Sequence, residues 1–150
     1  MKIAIVGCGK KKKERRHKAK NLYNSLYSKL RIRYAEQECD QYRILSAKHG
    51  LIKGNKMIEP YDKHIDEVDN LDQELSLGDS ILDWKDFWHR ENTEVFLLAG
   101  QKYVDVIEKR LPDFADVKKP FEQTSGIGEQ IQWLKENIED NQKNLAEVSK

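Results

Sequence analysis

The sequence contains no apolar run near the roughly 20 residues needed to cross a bilayer, so its pattern offers no membrane-spanning helix. The N-terminal apolar stretch, Ile3 to Val6, is too short for a secretory leader, and its charges follow instead of preceding it. Cysteine is scarce. Cys8 and Cys39 have no CxxC spacing, and two cysteines do not make a disulfide framework. The histidines at 17, 49, 64 and 89 match no zinc spacing with them, so no metal is expected. No internal repeat and no linker interrupts the 150 residues. These absences point to a cytoplasmic protein with one domain, residues 1–140, and a polar tail, 141–150.

Charge is plentiful but uneven. Residues 10–20 (KKKKERRHKAK) carry a local +7 while the whole chain carries +1, which leaves the remainder at about −6. Such a segment is either a solvated turn or a first point of contact for polyanions.

Apolar periodicity alternates between strand and helix. Lys2–Val6, Tyr42–Ala47 and Glu94–Ala99 read as short strands, each stopped by glycine-containing polar sequence. Ala19, Leu22, Tyr23, Leu26, Tyr27, Leu30 and Tyr34 recur at helical steps and predict one helix of roughly 15–18 residues. Further helices are expected over Ser80–Arg90, Lys102–Leu111 and Gly126–Glu139, the last with Ile127, Ile131, Leu134 and Ile138 in register. Residues 53–78 read as a long loop with a helical turn near 63–75, and Ala115–Val117 as a fourth short strand. Trp84, Trp88 and Trp133 fall at core spacing and are read as packing residues. The fold class is α/β: a three-layer Rossmann-like sandwich around a short, mainly parallel sheet of three to four strands.

In such sheets ligands bind beyond the carboxyl ends of the strands. Three strand ends, Gly7-Cys8-Gly9-Lys10, Ser46-Ala47-Lys48-His49-Gly50 and Ala99-Gly100-Gln101-Lys102-Tyr103, would then share one rim. The first is neither a Walker loop, since Ala4 and Lys11 stand where Gly and Ser or Thr are needed, nor a dinucleotide fingerprint, since Lys12 replaces the last glycine. It can still offer backbone N–H groups and Lys11 to an anion, or it is simply a tight turn. Cys8 is either a nucleophile or a small residue shaping that turn. His49 has the chemistry of a general acid–base, and Lys48 that of an anion anchor, with Ser46 and Gly50 beside them. A polar loop is the competing reading. Tyr61 offers a flat ring and Asp62 a carboxylate, stiffened by Pro60. Gly100 and Tyr103, and later Gly126, read either as turns that cradle a ligand or as helix caps.

The order CGKKK (8–12), LYNS (22–25), SAKHGL (46–51), PYD (60–62), AGQKY (99–103) and GIGEQ (126–130) resembles a largely uncharacterised domain family of bacterial, archaeal and phage proteins. It is more distantly similar to YaaA-type peroxide-stress proteins and to a domain of archaeosine synthase. The resemblance spans about residues 3–134, and it departs at IKGNKMI (52–58), where a proline-containing turn is expected. It implies a nucleotide, nucleobase or nucleic-acid connection without implying one reaction, and it draws Gln130 into the site. The leading expectation is an enzyme acting at an N-glycosidic bond of a nucleoside, nucleotide or nucleic-acid base, by hydrolysis or transfer. His49, Asp62 and Lys48 would be catalytic. Cys8, Gly9, Lys11, Ser46, Gly50, Tyr61, Gly100, Tyr103, Gly126 and Gln130 would bind substrate, with no cofactor. The alternatives are a non-catalytic nucleic-acid or nucleotide-binding module using residues 10–20, or a protein-interaction role.

Overall fold

The computed structural model describes residues 1–9, 12–63, 70 and 93–138. Its elements in chain order are β1 (Lys2–Gly7), β2 (His17–Lys18), α1 (Ala19–Leu22), α2 (Leu26–Glu38), β3 (Gln41–Ser46), β4 (Gly50–Ile52), β5 (Met57–Ile58), β6 (Glu94–Leu98), α3 (Gln101–Arg110), β7 (Asp116–Lys118) and α4 (Ile127–Asn137).

The Ile3–Val6 run is apolar on both faces because β1 is the central strand, and all four residues are buried. It pairs in parallel with β3, from Ile3 opposite Gln41 to Gly7 opposite Leu45. On its other side it pairs in parallel with β6, from Lys2 opposite Glu94 to Val6 opposite Leu98. β7 extends the sheet in parallel beyond β6, and β4 closes the other edge antiparallel to β3. The order is β4-β3-β1-β6-β7.

The sheet thus has five strands among the described residues, not three to four. The extra strand comes from the SAKHGL segment, expected to be only a strand end. Gly50 sits at φ 74°, a conformation glycine adopts without steric cost, and this lets the chain turn back so that Leu45 faces Leu51.

The expected single helix from Ala19 is two. Tyr23 is extended at φ −80°, ψ 114° and ends α1. Ser25 then caps α2, its Oγ accepting the Ser28 N–H at 3.1 Å. One consequence is that Leu26, read as a core position, is 54% exposed. Ile127 is likewise exposed at the start of α4, while Leu134 and Ile138 are buried as their register predicts. α2 packs against β1, β3 and α4. Tyr34 joins these layers, its ring 6.1 Å from Phe96 and 5.2 Å from Trp133.

The second half of the basic segment is folded onto the body. β2 pairs antiparallel with β5, the Ala19 and Lys20 N–H groups donate to Lys56 O and Gly54 O at 2.7 and 2.8 Å, and Ala19 and Leu22 are buried. Among the described residues no helix is long and apolar enough to cross a membrane. The helix expected over 80–90 with Trp84 and Trp88, His64, His89, the greater part of the helical turn near 63–75 and the 141–150 tail lie outside the described residues.

Candidate functional site at the carboxyl edge of the sheet

β3, β1 and β6 are adjacent and parallel, so Ser46, Gly7 and Leu98 end at one rim. The Cys8 N–H extends the ladder by donating to Leu45 O at 3.1 Å.

The centre of the rim is a hydrogen-bonded cluster around the Tyr61 hydroxyl. Ser46, fully buried, donates to it at 2.8 Å. The buried Tyr23 hydroxyl meets it at 2.6 Å. Ser46 Oγ also accepts from the Lys48 and His49 N–H groups at 3.2 and 3.1 Å, which fixes the turn that presents His49. The His49 ring stands edge-on to Tyr61, with centroids 5.7 Å apart. Lys12 Nζ lies 4.3 Å from the Tyr61 ring centre and 5.8 Å from that of Tyr23, within cation–π reach.

Burial pushes the Cys8 thiol up, against the opposing pull of a backbone hydrogen bond at Ala47, a hydrogen bond with Tyr61, and the charges of Lys12 and Arg31. Cys8 is therefore a neutral thiol near pH 7. The His49 imidazole is pushed down from 6.5, first by burial and then by Lys48 and Lys56, so it is mostly neutral near pH 7 and ready to accept a proton. Tyr23 is raised to about 12, mainly by burial.

Beside this cluster lies a residue the motifs did not single out. Arg31, on α2, is 3% exposed. Its Nη1 donates to Leu98 O and its Nη2 to Ser28 Oγ, both at 3.3 Å. Its guanidinium carbon lies 4.0 Å from the Tyr27 ring centre, and burial pulls its pKa down. The sequence did hold a signal. Tyr27, Leu30, Arg31 and Tyr34 form one helical stripe, and Arg31 is the charged member of an otherwise apolar row.

Gly9 brings the turn against α2, since a Cβ there would collide with Ser28 Oγ. Gly100 caps α3, its carbonyl accepting from the Tyr103 and Val104 N–H groups at 3.1 and 3.2 Å. Tyr103 is buried. Gln130 bonds Tyr27 through its Oε1 and donates to Thr124 Oγ1 at 3.1 Å. With Gln101, Thr124 and Lys119 it lines a cavity of about 260 Å³ beside β6. Gly126 is exposed, with nothing within 4 Å of a Cβ built there. Lys48 is exposed at the turn. Asp62 is exposed, and no hydrogen bond or ion pair among the described residues ties it to the cluster. Lys11 lies outside the described residues.

The structure thus brings Cys8, Ser46, His49 and Tyr61 together, adds Lys12 and Tyr23, and sets Gln130 in an adjoining network through Tyr27 and Arg31. A larger groove of about 420 Å³, lined by Lys20, Glu36, Tyr42 and Gly54 among others, sits at the opposite, N-terminal end of β3. Among the described residues no three His, Cys, Asp or Glu side chains cluster as metal ligands.

Residues 3–136 match the Family of unknown function (DUF6884). The chain belongs to this family. A DUF6884 chain of this length is similar to the uncharacterized protein YfjM of Bacillus subtilis (strain 168), with 25% identity over 153 aligned positions covering 93% of this chain and 96% of YfjM. No solved structure matches it.

Proposed function

We propose that this protein processes a nucleotide or nucleoside at the carboxyl edge of its parallel sheet, by hydrolysis or transfer at the N-glycosidic bond. The observation that carries the reading is the meeting of Cys8, Ser46, His49 and Tyr61, from segments far apart in sequence, in one polar cluster flanked by Lys12. The resemblance to an uncharacterised family that is distantly similar to YaaA-type proteins and to a domain of archaeosine synthase supports the choice of substrate class. So does the strand order β4-β3-β1-β6-β7, in which β1 has a parallel neighbour on each side, since open parallel sheets take ligands at their carboxyl edge.

In this reading the neutral His49 imidazole takes a proton from the attacking water or acceptor hydroxyl. A new C–O bond forms at the anomeric carbon, the C–N bond breaks, and the base leaves with the bonding electrons. Asp62 would have to turn in from the surface to stabilise the cationic sugar. Tyr61, with its hydroxyl held by Ser46 and Tyr23 and its ring beside Lys12 and His49, acts as a positioning residue.

The binding-module alternative draws less support. Lys20 pairs with Glu36 at 3.3 Å and Arg16 approaches Glu59 at 3.9 Å, so the basic segment spends part of its charge on its own chain.

Mass spectrometry of the supernatant from denatured protein, followed by chromatographic detection of free base from a nucleoside and nucleotide panel, tests the reading. Release of base that is lost in His49→Ala is expected, and Asp62→Ala decides whether the carboxylate takes part. A folded protein that binds no member of the panel and releases no base refutes the proposal.

A further inference from the structure

We propose that Arg31 is the phosphate-binding residue of this site, and that its ligand carries a terminal phosphate monoester, as a mononucleotide does. The rest of that ligand is assigned from the function proposed above; the anion is argued from Arg31 itself.

A guanidinium removed from water keeps its charge and is ordinarily satisfied by a carboxylate held in its fork. Arg31 has none. Among the described residues no carboxylate pairs with it. Its two acceptors are a carbonyl and a hydroxyl, both at 3.3 Å, beyond the usual range for such bonds. Its Nε is buried with no acceptor among the described residues. Two long bonds to neutral acceptors and the Tyr27 ring face at 4.0 Å are weaker compensation for a desolvated charge than a paired anion.

The position gives the deficit a meaning. Leu98 ends β6, Ser28 lies in the first turn of α2 against Gly9, and Gly7 ends β1. A Cβ on Gly7 would stand 3.1 Å from both Arg31 Nη1 and Ala99 Cβ. The guanidinium therefore lies where β1 and β6 end, which is where open parallel sheets take ligands, and glycine at 7 lets it pack directly on the strand end. An entering phosphate would exchange the two long bonds for charge-assisted ones, with Ser28 Oγ alongside. Near-complete burial selects a chain end. A phosphodiester within a polymer continues on both sides and needs an open groove.

The test is thermal unfolding of the wild type and of Arg31→Met, of similar length and without charge, at fixed ionic strength in chloride, acetate or inorganic phosphate, and with adenosine or adenosine monophosphate. Phosphate and the monophosphate should raise the wild-type melting temperature, and acetate should not. In Arg31→Met the phosphate response should vanish, affinity for the monophosphate should fall at least tenfold, and the melting temperature in chloride should not drop. An equal phosphate response in both proteins, none in the wild type, or an equal response to acetate overturns the assignment. If Arg31→Met does not fold, Arg31→Lys decides, because it keeps the charge but loses the fork; an unchanged phosphate response there overturns the proposal as well. Adenosine binding without any phosphate response removes Arg31 and leaves the nucleoside reading. A phosphate response lost in Arg31→Met, with no preference for the nucleotide, supports the anion site and removes the nucleotide reading.

Discussion

Replacing Tyr61 by Phe removes one oxygen atom from the point where three segments meet. The ring stays, with its contacts to Lys12 and His49. The Ser46 Oγ loses its acceptor at 2.8 Å and the buried Tyr23 hydroxyl loses its partner at 2.6 Å. A polar group left unpaired in the interior costs about 1–3 kcal/mol. Tyr23 and Ser46 are near enough to interact, so part of the loss is recovered when they bond each other, and the net destabilisation should be about 2 kcal/mol. For a domain of this size that lowers the melting temperature by about 4–8 °C. Urea unfolding followed by circular dichroism measures it directly, and the m-value should not change. A loss below about 0.5 kcal/mol would mean that the hydroxyl does not organise the cluster.

Two further outcomes follow from the same geometry. The folded-state pKa of His49 lies below its unfolded value of 6.5. Its contribution to stability is therefore complete above about pH 6.5 and is lost as pH falls through the lowered value, because the unfolded chain binds the proton more readily. His49→Gln should flatten the acid slope of stability measured by urea unfolding across that window, and an unchanged slope contradicts the shift. Gly54→Ala would place a Cβ 2.6 Å from Tyr42 Cζ, so the half-buried Tyr42 ring would have to swing off the turn. It should cost about 1–3 kcal/mol in the same assay, and a neutral effect would argue against the packing of this turn on β3.

The strands that build the site were legible because each is a short apolar run halted by glycine. Lys2–Val6, Tyr42–Ala47 and Glu94–Ala99 match β1, β3 and β6 to within a residue or two, and their parallel pairing follows from alternation with helices. β4 was not legible. It depends on one glycine at positive φ reversing the chain, and a three-residue strand carries no period to detect. The break at 23–25 was hidden for a related reason. Tyr23 keeps the helical spacing of apolar residues although its backbone is extended, and it serves the site through its hydroxyl. Motif reading gathered Cys8, Ser46, His49 and Tyr61, but it passed over Arg31, since a lone arginine in a helix ordinarily reads as surface. Only the three-dimensional placement shows that it is buried with no counter-charge among the described residues. Asp62 followed from adjacency to Tyr61 in sequence, and its exposure is decided by a backbone path that sequence does not encode locally.

The central claim is that three strand ends form one ligand site. Two-dimensional amide NMR during titration with a nucleoside monophosphate tests it most directly. Shifts should concentrate at residues 7–9, 46–50, 61–62 and 99–103. Shifts confined to the basic residues 13–20, or no saturable shifts at all, would contradict it.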